Sequence, residues 1–576
     1  MPEKFLDPAE LPCEYPRKFV PADLPAGEWE ALAPLFEDLE KRVLSSRRDM
    51  EKALLDLSEL LAVVEEEGAI RRIRMTCDTT NPQYEKAYLA FVEDVLPKVE
   101  EALHRLQVKF TQSPAWRELP PERYGVLRRK WENAVTIFRE ENIPLKVEEE
   151  KLGQRYQKIF GAMTVEFEGK TQTLQQMAKY LEEPDRRTRE RAWELIAERR
   201  LRDKDEIEDI FEELLSLREK RAKNAGFPNF RDYAFRERER FDYGPEECEE
   251  FHKGVEEAIV PLLRLLHKER AKRMGLKKLR PWDLLVDPAG RPPLRPFAEP
   301  EDLINGVQEI FLRLDPQLGE LFRRMAELRL LDVANRPGKA PGGYQSTLTE
   351  RRLPFIFMNA VGRDQDLWTL LHESGHAFHT LLSRDEPLHM YRDPPLEFAE
   401  VASMGMELLA SPFLDVFYPD EEDRRRSLEE HLYGIVRLLS WVATIDAFQH
   451  WLYTHPGHSR AERHKAWVEI FRRFAGLEDW TGYEEVLEHD WHRQLHLFLA
   501  PFYYIEYGIA QLGALGLWQK AMEDRRQALE KYISALKLGG AVPLPELFAT
   551  AGLPFDFGPE PISLAAKTLH RALQSG

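Results

Sequence analysis

Hydrophobic residues recur at intervals of three and four along most of the chain, the spacing that places them on one face of an α-helix. From Trp29 to about Gly68 this pattern predicts long amphipathic helices arranged as a hairpin. Similar patterns, with Glu and Arg on the outer face, predict helices over Pro82–Gln112, Pro121–Glu141, Leu145–Phe160, Leu174–Lys223, Phe230–Arg240, Asp242–Arg273 and Pro300–Leu330. The sequence therefore predicts a mostly α-helical protein.

Short stretches predicted as β-structure interrupt the helical pattern. Ala162–Thr173, with Glu168-Gly169 at its centre, is typical of a small β-hairpin. Tyr344–Leu348 and Leu353–Met358 are predicted as strands. The proline-rich stretch Pro281–Pro300 is predicted to be a connection between lobes. A small β element is therefore expected directly before the next predicted helix, at 364–385.

The predicted helix 364–385 carries the motif H-E-x-x-H at His372, Glu373 and His376. Two histidines four residues apart on a helix point in nearly the same direction, so both imidazoles can bind one zinc ion. Glu373 points beside the metal, where it could take a proton from a water molecule. His379 would lie too far along the helix to be a ligand. Two buried core histidines and a surface glutamate are the structural alternative.

A catalytic zinc needs a third protein ligand, and the next predicted helix, Leu396–Ala410, offers three glutamates. Glu400 is the favoured ligand because hydrophobic residues flank it on its face of the helix. Glu407 or Glu397 would then orient one of the histidines. For each glutamate taken singly, a position on a solvated helix face is the alternative.

Histidine and tyrosine residues cluster in the stretch His489–Gly508. Peptide hydrolysis at zinc passes through a tetrahedral oxyanion, which a phenol or imidazole donor can stabilise. Tyr503 and Tyr507 are four residues apart on a predicted helix, Tyr504 is three before Tyr507, and His496 lies just upstream. The alternative is a set of core aromatic residues with satisfied hydroxyl groups.

Taken together, these segments resemble a known family. HESGHAFH, followed by Glu400 in FAEVASMGMEL, is similar to the zinc peptidases of the thimet oligopeptidase family, and more closely to its oligoendopeptidase F group. Further similar segments are GGYQS at Gly342–Ser346, PFIFMN at Pro354–Asn359 and PFYYIEYG at Pro501–Gly508. The resemblance covers most of Gly161–Gly558.

This resemblance implies a site with one zinc ion per chain. The implied ligands are His372, His376 and Glu400, and Glu373 is the implied general base.

The resemblance also implies which residues act on the bound peptide. His496, Tyr503 and Tyr507 best match the family's histidine and tyrosine residues. A peptide is expected to bind along the predicted strand next to the metal. Its expected contacts are Gly342, Gly343, Tyr344 and Tyr504.

The fold that the resemblance implies is a large, helical, two-lobed zincin-type peptidase with a deep central cleft. Residues 1–190 are expected to form part of one lobe, and residues 191–576 the catalytic region. The expected activity is zinc-dependent endoproteolysis of short peptides. Two alternatives remain at this point: an exopeptidase that trims the C-terminus, and a non-catalytic protein that binds peptides.

Composition and charge limit the partners, the cysteine chemistry and the location expected for the protein. The chain has 576 residues, a net charge of −19 and a hydrophobic fraction of 43%. The acidic balance argues against a nucleic-acid partner. Three widely spaced cysteines indicate no disulfide framework and no cysteine-pair zinc site. No membrane-length apolar segment and no signal peptide are evident, so a cytoplasmic location is expected. The sequence does not determine the oligomeric state.

Overall fold

The computed structural model describes residues 7–574. Helices form most of this part of the chain, and the β-structure is limited to two small sheets. The predicted mostly α fold with a small β element is therefore confirmed.

The α-helices of the first half of the chain are α1 (Trp29–Lys41), α2 (Arg47–Cys77), α3 (Pro82–Ala90), α4 (Leu96–Gln112), α5 (Pro114–Arg117), α6 (Pro121–Ile137), α7 (Ile143–Gly161), α8 (Leu174–Ala178), α9 (Arg186–Arg202), α10 (Lys204–Asn224), α11 (Phe230–Glu237), α12 (Pro245–Gly254) and α13 (Val260–Arg273). Those of the second half are α14 (Pro300–Leu314), α15 (Pro316–Glu327), α16 (Asp364–Leu382), α17 (His389–Arg392), α18 (Leu396–Ala410), α19 (Glu421–Thr454), α20 (Arg460–Phe474), α21 (Glu484–Glu488), α22 (Leu495–Leu499), α23 (Ile505–Glu523), α24 (Arg525–Leu536), α25 (Leu544–Thr550) and α26 (Pro559–Gln574). The strands are β1 (Thr164–Phe167), β2 (Lys170–Thr173), β3 (Leu331–Ala334), β4 (Tyr344–Leu348) and β5 (Leu353–Ala360).

The chain divides into two compact units, and each is built from three separate stretches. The first unit comprises residues 1–136, 294–427 and 513–555, and the second comprises 137–293, 428–512 and 556–576. The predicted boundary at residue 190 gives two continuous segments, whereas each of these units combines three separate stretches of the chain.

The first unit contains a three-stranded sheet with the order β3-β5-β4. β4 pairs antiparallel with β5, from Tyr344 opposite Phe357 to Leu348 opposite Leu353. β3 pairs parallel with the other side of β5. β4 and β5 lie where strands are predicted from the sequence, whereas β3 was not predicted. β4 has one strand neighbour in the described part of the sheet and is an edge strand.

A proline divides one of the helices that the hydrophobic pattern predicts. The segment predicted as one helix from Pro300 to about Leu330 is divided at Asp315-Pro316, because the residue before a proline is disfavoured in the helical conformation. The carboxylate of Asp315 accepts hydrogen bonds from the backbone N–H groups of Gln317 and Leu318, which starts α15.

The second unit contains the β1–β2 hairpin that the alternating pattern predicts. Its turn residues, Glu168 and Gly169, have φ values of 51° and 74°. This is the left-handed conformation that two-residue hairpin turns require.

Candidate active site

The first turn of α16 is fixed by a side chain from within the helix. The Asp366 carboxylate accepts hydrogen bonds from the backbone N–H groups of Val361 and Arg363, at 2.7 and 2.9 Å. Gly362 lies between these two residues with φ 87°. The helix therefore begins at Asp364, and its buried face carries the H-E-x-x-H motif into the interior of the first unit.

His372, His376 and Glu400 lie close together and could hold one metal ion. Nε2 of His372 lies 3.4 Å from Oε2 of Glu400, and Nε2 of His376 lies 3.6 Å from the same oxygen. Ligand atoms in a tetrahedron about 2.0–2.2 Å from zinc are roughly 3.3–3.6 Å apart. Two imidazole nitrogens and a carboxylate oxygen at this spacing therefore fit a zinc ion.

Further contacts hold each of these side chains in place. Nδ1 of His372 lies 2.6 Å from Oε1 of Glu407. The His376 ring lies beside the backbone of Ala399. The hydroxyl of Ser403 donates to Oε2 of Glu400 at 2.9 Å. Such contacts fix the orientation of metal ligands and the tautomers of the histidines.

The close approach of α16 and α18 depends on Gly375, inside the H-E-x-x-H motif. A Cβ atom at Gly375 would lie 2.5 Å from both the carbonyl oxygen of Ala402 and Cα of Ser403. The Ala402 carbonyl accepts a hydrogen bond from the hydroxyl of Tyr532 at 2.7 Å. Gly375, Ala402 and Tyr532 were not predicted to position the site. A glycine between the two histidines of the motif was the available signal for the close contact.

The carboxylates of Glu400 and Glu407 favour a positive charge next to them, at the position of His372. Burial alone would lower the pKa of His372, but hydrogen bonds to Glu400 and Glu407 raise it well above its usual value. Burial would raise the pKa of Glu400, but the hydrogen bond with His372 and the charge of His376 lower it to about 2. Burial lowers the pKa of His376 to about 4. An ionised carboxylate next to a neutral imidazole is a suitable donor set for a cation.

Glu373 is buried between α16 and the edge strand β4. Burial raises the pKa of its carboxyl group to about 7, and the positive charge of His372 opposes that rise. The backbone of Gln345 in β4 also opposes that rise. β4 therefore lies beside Glu373.

Gly342 and Gly343 directly precede β4. Gly342 adopts φ 100°, and its carbonyl accepts a hydrogen bond from the side-chain amide of Asn359 at 2.9 Å. The hydroxyl of Tyr344 lies 2.6 Å from Oγ1 of Thr76, and its ring stacks on Phe357 with centroids 4.8 Å apart. The side chain of Tyr344 thus anchors β4 within the first unit.

His496, Tyr503, Tyr504 and Tyr507 lie together in the second unit. The His496 ring centroid is 5.4, 4.9 and 6.0 Å from those of Tyr503, Tyr504 and Tyr507, respectively. Burial, with a smaller effect of Arg238, lowers the pKa of His496 to about 4, so the ring is neutral at neutral pH.

Hydrogen bonds define the tautomer of His496. The indole N–H of Trp441 donates to Oε1 of Gln494 at 2.9 Å, which directs the amide Nε2 of Gln494 to Nδ1 of His496 at 2.7 Å. Because Nδ1 of a neutral ring accepts this bond, Nε2 carries the proton and is a donor.

The prediction that Tyr503 lies on a helix with Tyr507 is wrong. α23 begins at Ile505, and the preceding segment is a turn in which Phe502 has φ 63°. The Phe502 N–H donates to the side chain of buried Gln449. This nonlocal contact stabilises the turn, yet the rings of Tyr503 and Tyr507 still approach to 5.3 Å.

His379 lies outside the group formed by His372, His376 and Glu400. It is 3% exposed, and neither ring nitrogen has a hydrogen-bond partner among the described residues. Burial lowers the pKa of His379 to about 3. Of the two glutamates proposed to orient a histidine, Glu407 is the one at hydrogen-bonding distance from His372.

Comparison with known families identifies the chain. The family model described as peptidase family M3 matches residues 179–557, and that of the peptidase M3 N-terminal domain matches residues 20–138. The chain belongs to peptidase family M3. The predicted resemblance to the oligoendopeptidase F group of this family is confirmed, because several relatives carry that name.

Two curated relatives in family M3 show the extent of the similarity. Oligopeptidase PepF of Bacillus subtilis is 25% identical over 336 residues, which cover 56% of this chain and 48% of that protein. An oligoendopeptidase F homolog of Lactococcus lactis is 24% identical over 309 residues, covering 52% of this chain and 50% of the relative. The chain thus spans about half the length of the curated relatives it matches.

The similarity to a solved M3 peptidase structure extends over the whole chain. The structure of PZ peptidase A with an inhibitor is 28% identical, with a TM-score of 0.88, and the alignment covers 99% of both chains. Within residues 7–574, no helix combines the length and hydrophobicity needed to span a membrane.

Proposed function

We propose that this M3 peptidase is a zinc-dependent endopeptidase of short peptides, with one zinc ion held by His372, His376 and Glu400. The observation that carries the proposal is that Nε2 atoms of both histidines lie 3.4 and 3.6 Å from the same oxygen of Glu400. The second ring nitrogen of His372 is bound by Glu407, as in carboxylate–histidine–zinc arrangements.

A zinc ion bound there would supply a Lewis acid that polarises the peptide carbonyl and makes a water molecule more acidic. Glu373 takes a proton from the attacking water and transfers it to the leaving amine. A general base works best with a pKa near the working pH, and burial raises the pKa of Glu373 to about 7.

The edge strand β4 is proposed to bind the substrate backbone. An extended peptide can add to an exposed strand edge through backbone hydrogen bonds. The backbone of Gln345 in β4 lies next to Glu373, so this strand lies beside the proposed base. Gly342 and Gly343, which lack side chains, leave space for a peptide at the start of β4. In this proposal Tyr344 contributes its backbone, since its hydroxyl is bound to Thr76.

His496 and the neighbouring tyrosines are proposed to donate hydrogen bonds to the reacting peptide. The neutral His496 carries its proton on Nε2, and Tyr503 and Tyr507 each offer a hydroxyl group. Tyr504 is assigned to substrate binding. Support comes from the packing of these rings around His496 and from the similar segment in the family.

The test is mass spectrometry of the products from a peptide blocked at both ends, incubated with the zinc-loaded protein and with the protein after chelation. Internal cuts that disappear with the chelator and return with zinc are expected. A Glu373→Gln variant should retain zinc but lose cleavage, whereas Glu523→Gln, which changes an exposed residue, should cleave normally.

Other outcomes would contradict the proposal. If the blocked peptide survives while a peptide with a free C-terminus is shortened stepwise, the protein is an exopeptidase. If neither peptide is cleaved, the proposal is replaced by a peptide-binding role. Full activity of Glu373→Gln would exclude this residue as the base.

A further inference from the structure

Four potential metal ligands from two helices meet in the interior of the second unit. α12 contributes Cys248 and His252, and α19 contributes Asp446 and His450. Each pair is four residues apart, so both side chains of a pair lie on the same face of their helix. The exposed fractions of Cys248, His252, Asp446 and His450 are 0%, 4%, 0% and 7%.

The distances between these groups suit a bound cation. The potential ligand atoms of Cys248, Asp446 and His450 all lie within 4.8 Å of one another. A central point then lies no more than about 2.8 Å from each, compared with zinc bond lengths of about 2.3 Å to sulfur and 2.0–2.2 Å to nitrogen or oxygen. Inward movements of no more than about 0.5–0.8 Å would bring all three atoms to these bond lengths.

Several polar atoms of this cluster have no hydrogen-bond partner among the described residues. They are Oδ1 of Asp446 and both ring nitrogens of His450. Nε2 of His450 lies 3.3 Å from Oδ2 of Asp446, but this contact lacks hydrogen-bond geometry. The rings of Phe235 and Phe502 pack edge-on against His450. Polar atoms left unpaired in such apolar surroundings are costly, and a cation would satisfy them.

We propose that Cys248, Asp446 and His450 bind a second metal ion, structural zinc, independently of the peptidase site. Nε2 of His252 lies 2.8 Å from Oδ2 of Asp446 and holds this carboxylate in place, which leaves Oδ1, the oxygen without a partner among the described residues, for the ion. One thiolate and one carboxylate neutralise a divalent cation, which gives an uncharged site suited to a buried position. A thiolate with an imidazole and a carboxylate is a ligand set that suits zinc.

Because a cysteine that binds zinc does so as a thiolate, zinc binding forms a bond to the sulfur of Cys248 and releases the thiol proton to solvent.

A second histidine–carboxylate cluster in the same unit shows why proximity alone does not indicate a site. Glu208 lies near His464, His489 and His492. However, its carboxylate already accepts hydrogen bonds from His464 at 2.6 Å and His492 at 3.0 Å, and it pairs with Arg463. The Glu208 charge is thus compensated by these partners, in contrast to Asp446 Oδ1 and the His450 ring.

The first test is the zinc content of the full-length protein expressed in zinc-supplemented medium. The unmodified protein is expected to carry two zinc ions per chain. His376→Asn should lose the ion of the peptidase site, and Cys248→Ala should lose the buried one, leaving one in each case. Cys77→Ala, which changes a buried thiol in the first unit, is the matched control and should retain both.

The second test is the absorption spectrum of protein expressed with cobalt. Cobalt bound to a thiolate gives an intense near-ultraviolet charge-transfer band, which two histidines and a glutamate cannot give. The band should be present in the unmodified protein and in His376→Asn, and absent in Cys248→Ala. His450→Phe, which keeps an aromatic ring between Phe235 and Phe502, should also lose it, provided that circular dichroism shows a folded protein.

A single zinc ion per chain that is lost in His376→Asn would overturn the proposal, as would the absence of the charge-transfer band from folded, cobalt-containing protein. A band that persists in Cys248→Ala but disappears in Cys13→Ala would assign it to the exposed thiol and would also overturn the proposal. None of these readouts depends on peptide cleavage, so they are separate from the test of the proposed function.

Discussion

Oε1 of Glu407 lies 2.6 Å from Nδ1 of His372, while Nε2 of the same ring faces Glu400 at 3.4 Å. The two residues are on neighbouring helices, α18 and α16. One imidazole thus joins the proposed metal position to a carboxylate behind it. This contact fixes which nitrogen of His372 is available for the metal.

Removing this contact is expected to weaken metal binding. Glu407→Ala should lower zinc affinity about 10- to 100-fold, the usual effect of losing such a partner, and Glu407→Gln should restore part of it by keeping an acceptor. Affinity is measured by competition with a chelator of known strength. Glu546→Gln, which changes an exposed residue in α25, is the control. Unchanged affinity in Glu407→Ala would show that Glu407 does not position His372.

Gly375→Ala is expected to separate α16 from α18. The added methyl group would meet backbone atoms of Ala402 and Ser403 at 2.5 Å, and backbone cannot move as a flexible side chain does. Overpacking of this kind costs about 1–3 kcal/mol of stability. The urea concentration at the midpoint of unfolding and the zinc content should both decrease.

A helical glycine with free space around it provides the control for Gly375→Ala. No atom would lie within 4 Å of a Cβ at Gly125 in α6, so Gly125→Ala should be neutral or stabilise the helix by about 0.5–1 kcal/mol. A Gly375→Ala protein with normal zinc content and stability would contradict the proposed role of the close helix contact.

His379 is expected to make the protein less stable as the pH falls. Its folded-state pKa is lowered to about 3, whereas an unfolded histidine titrates near 6.5. Between these values the unfolded chain binds a proton that the folded chain does not, so acidification favours unfolding. For this residue the loss between pH 7 and pH 5 is about 2 kcal/mol.

Replacing His379 with leucine removes this titration. The difference in unfolding free energy between His379→Leu and the unmodified protein should therefore shift in favour of the variant by about 2 kcal/mol when the pH is lowered from 7 to 5. Denaturant unfolding at both pH values measures it. A difference that does not change with pH would show that the folded-state pKa is not lowered.

Single hydroxyl deletions are expected to identify the oxyanion donor. Tyr503→Phe, Tyr504→Phe and Tyr507→Phe keep the ring packing around His496 and remove one donor each. Loss of an oxyanion donor typically lowers kcat about 10²- to 10³-fold. We expect this loss for Tyr503→Phe or Tyr507→Phe, with KM and zinc content unchanged. If all three variants keep the kcat of the unmodified protein, the role proposed for these tyrosines is wrong.

Local sequence determined the elements that carry the candidate metal site. The bounds of α18 and β4 agree with the prediction, and α16 begins as predicted, because hydrophobic periodicity and proline positions act over a few residues. The i, i+4 spacing of His372 and His376 follows from helix geometry alone. For this reason the candidate ligands could be named without a structure.

Only the tertiary structure decided which distant groups meet. β3 pairs with β5 through contacts that its four residues do not encode locally. Glu400 lies beside His372 because α18 packs closely against Gly375 of α16. His252 and Asp446 are 194 residues apart in sequence, yet their side chains are in hydrogen-bonding contact. Such pairings depend on how helices and strands pack against each other. A sequence pattern that extends over a few residues does not specify that packing.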